Sequence, residues 1–302
     1  MPSFRAAPVR VRVPATSANL GPAFDCAGLA LSLYDEVVVR VAEGGLAVDV
    51  AGEGAEDLPR DKRHLVVKAL RETFDLLGGQ PRGLEVVCAN RIPQSRGLGS
   101  SSGAIVAAVV AARALVIGGQ ESLDDDAALA LATRLEGHPD NVAACLRGGL
   151  TLAWTDATGV HAHRADVHPD VVPVAFVPAT RASTKKVRGL LPQTVPHAEA
   201  AANSGRSALL ALAVTSSPGL LLAATEDLLH QSYRASAMPR SASLVAALRA
   251  DGVPATISGA GPTVLALCTA GTADAVATRV PRGWTVQRLT VAAAGATVLP
   301  LR

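Results

Sequence analysis

Apolar and charged residues alternate along Val9-Arg-Val-Arg-Val13, the pattern of a strand with one buried face, and Pro14 is expected to end it. Tyr34–Val41 and Leu46–Val50 are rich in β-branched residues and read as a hairpin around Gly44-Gly45. At His64–Leu77 the apolar spacing becomes helical and stops at Gly78-Gly79; a short strand at Leu84–Ala89 and an alanine- and valine-rich helix at Ser102–Ile117 follow. Ser122-Leu123-Asp124-Asp125-Asp126 opens another helix, its acids placed to complement the dipole, and Glu136-Gly137 closes it. His138-Pro139-Asp140-Asn141 reads as a turn, and Gly148-Gly149 leads into a strand at Leu150–Trp154.

Residues 155–168 are polar and turn-rich, which places a domain boundary near 160 and divides the chain into 1–160 and 161–302. The second part predicts strands at Val171–Phe176, Ala255–Ile257, Val264–Cys268 and Trp284–Leu289. Its helices are expected near 183–191, 204–214, 218–234, 241–250 and 272–279. Helices mixed with antiparallel strands predict an α+β class, and 302 residues suffice for two domains.

Lysines and arginines are dispersed and the net charge is +2, so neither a nucleic-acid nor a membrane-surface partner is expected. Cys26, Cys88, Cys145 and Cys268 lie far apart, without zinc or disulfide spacing, which fits a reducing, cytoplasmic setting. The N-terminal residues lack the apolar run of a signal peptide. Ala104–Ile117, the longest apolar stretch, is interrupted by Arg113 and falls short of the roughly 20 residues of a membrane span.

The chemistry concentrates in Pro93-Gln94-Ser95-Arg96-Gly97-Leu98-Gly99-Ser100-Ser101-Ser102-Gly103. Glycines let the backbone turn its N–H groups onto an anion, and three serines add hydroxyls where a helix begins, so a polyphosphate could be held without a Walker lysine. A helix cap after a flexible turn is the plain alternative. Two further Gly/Ser-rich loops, 14–25 and 258–262, suggest that three loops share one cleft.

These loops resemble the motifs of the GHMP kinases, and the likeness within that superfamily is to the homoserine kinases. It rests on Pro14–Asp25, Pro93–Ser102 and Ser258-Gly259-Ala260-Gly261-Pro262, with Glu136–Ala143, Ser183–Pro192 and His230–Arg234 between them. The resemblance implies a two-domain fold: an N-terminal mixed αβ domain with a nucleotide loop of the left-handed-crossover type, and a ferredoxin-like C-terminal layer. It implies ATP held by the 93–102 loop with His64 near the purine, and Mg²⁺ held by Ser101 and Glu136, as suits a hard cation that keeps waters. Arg188 and Arg234 are implied as clamps for an amino-acid carboxylate. Asn19, Asp25, His138, Asn141, Thr184, Gly259 and Gly261 are implied at the small-molecule substrate, L-homoserine, and a homodimer is expected from the family. Glu136, Asp25 and Asp140 are the implied catalytic carboxylates, the two aspartates as orienting groups, since homoserine kinases lack an obvious base.

Three positions depart from the family pattern: Ala23 for glycine, Ala260 for serine and His64 for asparagine. A kinase for another small alcohol, such as mevalonate or threonine, and a non-catalytic sensor are the competing readings. The intact serine loop and Glu136 weigh against the sensor.

Overall fold

The computed structural model describes residues 2–300, without the side chains of 184 and 185. Its strands are β1 (Val9–Ala18), β2 (Ala27–Ala42), β3 (Gly45–Gly52), β4 (Gly83–Asn90), β5 (Leu150–Asp156), β6 (Gly159–Ala165), β7 (Val171–Pro178), β8 (Ala255–Ile257), β9 (Val264–Thr269), β10 (Trp284–Arg288) and β11 (Thr297–Leu299). A first sheet runs β11-β1-β2-β4-β3, with β5 and β6 attached through β2; a second runs β10-β7-β9-β8.

Several expectations are corrected. β1 continues past Pro14 to Ala18, because the missing N–H falls at a register shift between Pro14 and Ala15. β2 and β3 form no hairpin: β4 lies between them, antiparallel to β2 and parallel to β3, and the helix Leu65–Leu76 makes the crossover. Gly44-Gly45 does make the turn; the partner strand is chosen from farther along the chain. The polar stretch 155–168 contains β6, and β11 returns from the far end to pair with β1, so the sheets part at 166–170 instead of at 160. His138–Asn141 is the start of a helix, Pro139–Arg147.

The second sheet has the chain order of a ferredoxin-like layer: numbered from β7, its strands run four, one, three, two. Its strongest strand, β7, is buried on both faces. Val171, Ala175 and Val177 join the core shared with the first sheet, and Val172, Val174 and Phe176 face the opposite way. The predicted helix 204–214 spans His197–Thr215. The helix predicted over 218–234 breaks into pieces at 218–220, 221–224 and 231–234.

The helix Ser100–Leu115 is the spine of the first domain. Residues Ile105–Ala112 are all at most 5% exposed, and their small side chains allow close packing on both the sheet and the neighbouring helices.

Candidate active site

β4 delivers the chain to the serine loop, and a buried aspartate secures the exit. Asp35 Oδ1 accepts the N–H groups of Arg91 (2.6 Å) and Ile92 (2.8 Å). Burial pushes its carboxyl up to about 6, against the pull of those two bonds. Beyond it Ser95, Gly97 and Gly99 all take positive φ (57°, 78° and 71°). At Gly97 the reason is crowding as well as conformation, since a Cβ would lie 2.2 Å from the Ser258 carbonyl oxygen. Gly99 caps the helix without a side chain, so no side-chain cap takes up its leading N–H groups.

Ser101 and Ser102 donate to the two oxygens of Glu136, each at 2.8 Å. Glu136 ends the helix Asp125–Glu136, where the dipole disfavours a negative charge, and Gly137 then turns the chain in the left-handed region. His138 and Asp140 follow. Asp140, 2% exposed, accepts the Asn141 N–H and pairs with His138 Nδ1, both at 2.7 Å. The bond to Asp140 raises the His138 pKa above its ordinary value, although burial opposes it. Thr16 Oγ1 donates to Asn141 Oδ1 at 2.7 Å.

The first and third loops are tied by side chains. Asn19 Nδ2 donates to the Gly259 carbonyl (3.0 Å), and its Oδ1 accepts the Asp25 N–H (2.9 Å). Ser258 Oγ bridges Ser17 Oγ (2.8 Å) and the Gly97 carbonyl (2.5 Å), joining the third loop to the serine loop. Arg96, expected at the nucleotide, gives its guanidinium to the carbonyls of Gln94, Pro178 and Ala179, and so braces the loop against β7.

The two clamp candidates differ. Arg188 is forked onto Asp25, with both bonds at 2.7 Å. Arg234 is 3% exposed, its Nε has no hydrogen-bond partner, and no carboxylate pairs with it among the described residues. Phe24 lies between them, its ring centroid 5.3 Å from the Arg188 guanidinium carbon and 5.1 Å from that of Arg234. His64 caps the helix that it precedes, its Nδ1 accepting the Val66 N–H at 3.3 Å. Burial lowers its pKa, leaving a neutral ring whose Nε2 is buried and unpartnered.

These groups line one cleft of about 350 Å³ between the two sheets' loops. Of the residues expected there, Pro93, Leu98, Ser102 and Gly261 lie behind its wall; the side chain of Thr184 is outside the described residues. Phe24 and Asp35 also line it and were missed by the sequence reading. The sequence signal for Asp35 was weak, since Glu36 and Arg40 are also charged within the same strand; Phe24 had only its place beside Asp25.

Comparison with known proteins places this cleft in a family. Residues 64–149 match the model of the GHMP kinases N terminal domain, and residues 200–285 that of the GHMP kinases C terminal domain. A homoserine kinase of Streptomyces avermitilis is 64% identical over 300 residues, covering 99% of this chain and 98% of its own. The chain belongs to the homoserine kinases of the GHMP kinase family. A homoserine kinase of Streptomyces coelicolor is also 64% identical, over 99% of this chain and 97% of its own. The crystal structure of homoserine kinase from Cytophaga hutchinsonii has the same fold, with a TM-score of 0.84 at 24% identity over 99% of each chain. The two-domain α+β architecture expected from the motifs is thus that of the family. Among the described residues no helix is long and apolar enough to cross a membrane.

Proposed function

We propose that the chain transfers the γ-phosphoryl group of ATP to the hydroxyl of L-homoserine, giving O-phospho-L-homoserine on the route to threonine. The observation that carries this reading is Arg234: a guanidinium 3% exposed, lining the cleft with Nε unpartnered and with no carboxylate paired to it among the described residues. Such a charge is costly until an anion arrives, and its planar fork suits a carboxylate.

Arg234, joined by Arg188, binds the substrate carboxylate, and Asp25, released from Arg188, takes the ammonium group. Asn19 and Gly259 hold the shape of that end of the cleft through their mutual bond. His138, Asp140 and Asn141 orient the hydroxyl; each aspartate already has hydrogen-bond partners, so neither is assigned as base. The helix start at Gly99–Ser101 receives the phosphates, with charge neutralised by the leading N–H groups. His64 offers Nε2–H at the far end of the cleft, a donor suited to the purine. Transfer between two held groups needs position and neutralisation more than covalent help.

The all-oxygen set of Glu136 and Ser101 fits Mg²⁺, because one carboxylate and one hydroxyl leave room for phosphate oxygens and water. No group of three or more His, Cys, Asp or Glu that could hold a metal occurs among the described residues. Bound there, Mg²⁺ would neutralise phosphate charge. The reading includes a cytoplasmic enzyme and a homodimer, the latter testable by sedimentation.

The test is ADP release with Mg²⁺ and ATP in the presence of L-homoserine, L-threonine, mevalonate or galactose. Strong preference for L-homoserine is expected; preference for mevalonate or galactose, or binding of ATP without turnover, would overturn the proposal.

A further inference from the structure

We propose that His230 is a positioning residue that aims Arg234 at the substrate carboxylate. The proposal rests on the clamp reading of Arg234. His230 is fully buried and immediately precedes the short helix Gln231–Arg234. Its Nδ1 lies 3.3 Å from Arg234 Nη1, and its Nε2 lies 2.8 Å from the Gly21 carbonyl oxygen.

The chemistry of the partners fixes the ring. A guanidinium only donates, so Nδ1 must be bare and accept; a carbonyl only accepts, so Nε2 must carry the proton and donate. One neutral tautomer satisfies both. The charged groups around the ring are Asp227, whose Oδ1 is 3.6 Å from Nε2, together with Arg234 and Asp25. Burial and Arg234 disfavour a second proton while Asp227, the Gly21 carbonyl and Asp25 favour it, and the net shift is downward.

Both ends of this bridge serve the site. Gly21 belongs to the first loop and packs so closely that a Cβ there would lie 2.5 Å from the Thr225 carbonyl oxygen, so the acceptor for Nε2 is rigidly placed. At the other end, His230 Nδ1 is the one polar partner of the Arg234 guanidinium among the described residues. Phe24 covers the ring, its centroid 5.1 Å away, and also packs against the guanidinium. Without the imidazole the arginine would keep its burial and lose its aim.

Two substitutions separate the bonds. His230→Gln places an amide near Nε2, keeping the Gly21 bond and removing the acceptor for Arg234; His230→Asn places an oxygen near Nδ1 and does the reverse. The Gln variant is expected to raise the homoserine KM about tenfold, with kcat and the ATP KM within roughly twofold, and the Asn variant to stay within about threefold throughout. Equal homoserine KM values in the two variants, or an unchanged value in the Gln variant, would overturn the proposal. Arg234→Met is the control. If it leaves the homoserine KM unchanged, the clamp reading itself falls; if it raises KM while His230→Gln does not, only the positioning role falls. Nitrogen-15 NMR of the unsubstituted protein gives a readout independent of the folding of any variant. A bare Nδ1 and protonated Nε2 are expected between about pH 6 and 8, and an Nδ1–H tautomer would overturn the proposal.

Discussion

Replacing Arg234 by methionine should improve the free protein while crippling its use of substrate. The guanidinium is 3% exposed and has no carboxylate partner among the described residues. A buried, unpaired charge of this kind costs several kcal/mol, of which the Phe24 ring returns about 1–2 kcal/mol and the His230 bond about 1 kcal/mol. Methionine fills much of the same space without the charge, so the variant should equal the parent in unfolding free energy or exceed it by about 1 kcal/mol. Substrate binding moves the other way. Loss of charge-assisted bonds to a carboxylate removes about 2–3 kcal/mol, which corresponds to a homoserine KM roughly 30- to 160-fold higher. Initial rates at varied homoserine and varied ATP, with urea unfolding of both proteins, measure all three quantities. A variant destabilised by more than about 2 kcal/mol with an unchanged homoserine KM would refute the reasoning, as would equal rises in both KM values.

Glu136→Gln should lower kcat by about 100-fold or more with little change in melting temperature, because the amide oxygen still accepts one of the two serine hydroxyls and its NH2 can donate to the other serine oxygen, while the charge is gone; steady-state kinetics at saturating substrates checks it. Gly97→Ala puts a Cβ against the Ser258 backbone oxygen, where no flexible side chain can yield, and should cost about 2 kcal/mol or more together with a raised ATP KM. Normal ATP affinity in that variant would contradict the loop assignment. Asp35 has a carboxyl raised from its ordinary 3.8 to about 6, so its contribution to stability is full below pH 3.8 and is lost as pH rises through 6. The loss is about 3 kcal/mol. Asp35→Asn should flatten the unfolding free energy over that interval, and an unchanged slope would show that the group does not titrate there.

The three glycine loops were legible because their residue types have few other uses, and the structure brings them into one cleft through Asn19–Gly259 and Ser258–Gly97 bonds. What local pattern left open was partnership. Gly44-Gly45 specifies a turn, but only tertiary packing puts β4 beside β2. β6 escaped because His161, His163 and Arg164 interrupt the apolar alternation and no residue in it is fully buried. The break in the predicted helix 218–234 matters most for the site. The Asp227 carboxylate accepts the N–H groups of Leu229, His230 and Gln231, which stops one helical path and starts another. That restart carries Arg234 into the cleft. A continuous amphipathic pattern cannot reveal such a side-chain cap, although an aspartate followed by two leucines offers a faint cue. Arg96 shows what a motif leaves unstated: it lines the cleft, and its guanidinium is bonded to scaffold carbonyls.

The central claim is that this cleft recognises both charged groups of an amino acid while phosphorylating its hydroxyl. The most direct test is kcat/KM for L-homoserine against 4-hydroxybutanoate, which lacks the amino group, and 3-aminopropan-1-ol, which lacks the carboxylate. Each deletion should lower kcat/KM by about 100-fold or more, with Arg234→Met sharply reducing the difference between homoserine and the aminoalcohol and Arg188 retaining part of it. Equal kcat/KM values for homoserine and the aminoalcohol in the unsubstituted protein would contradict the account.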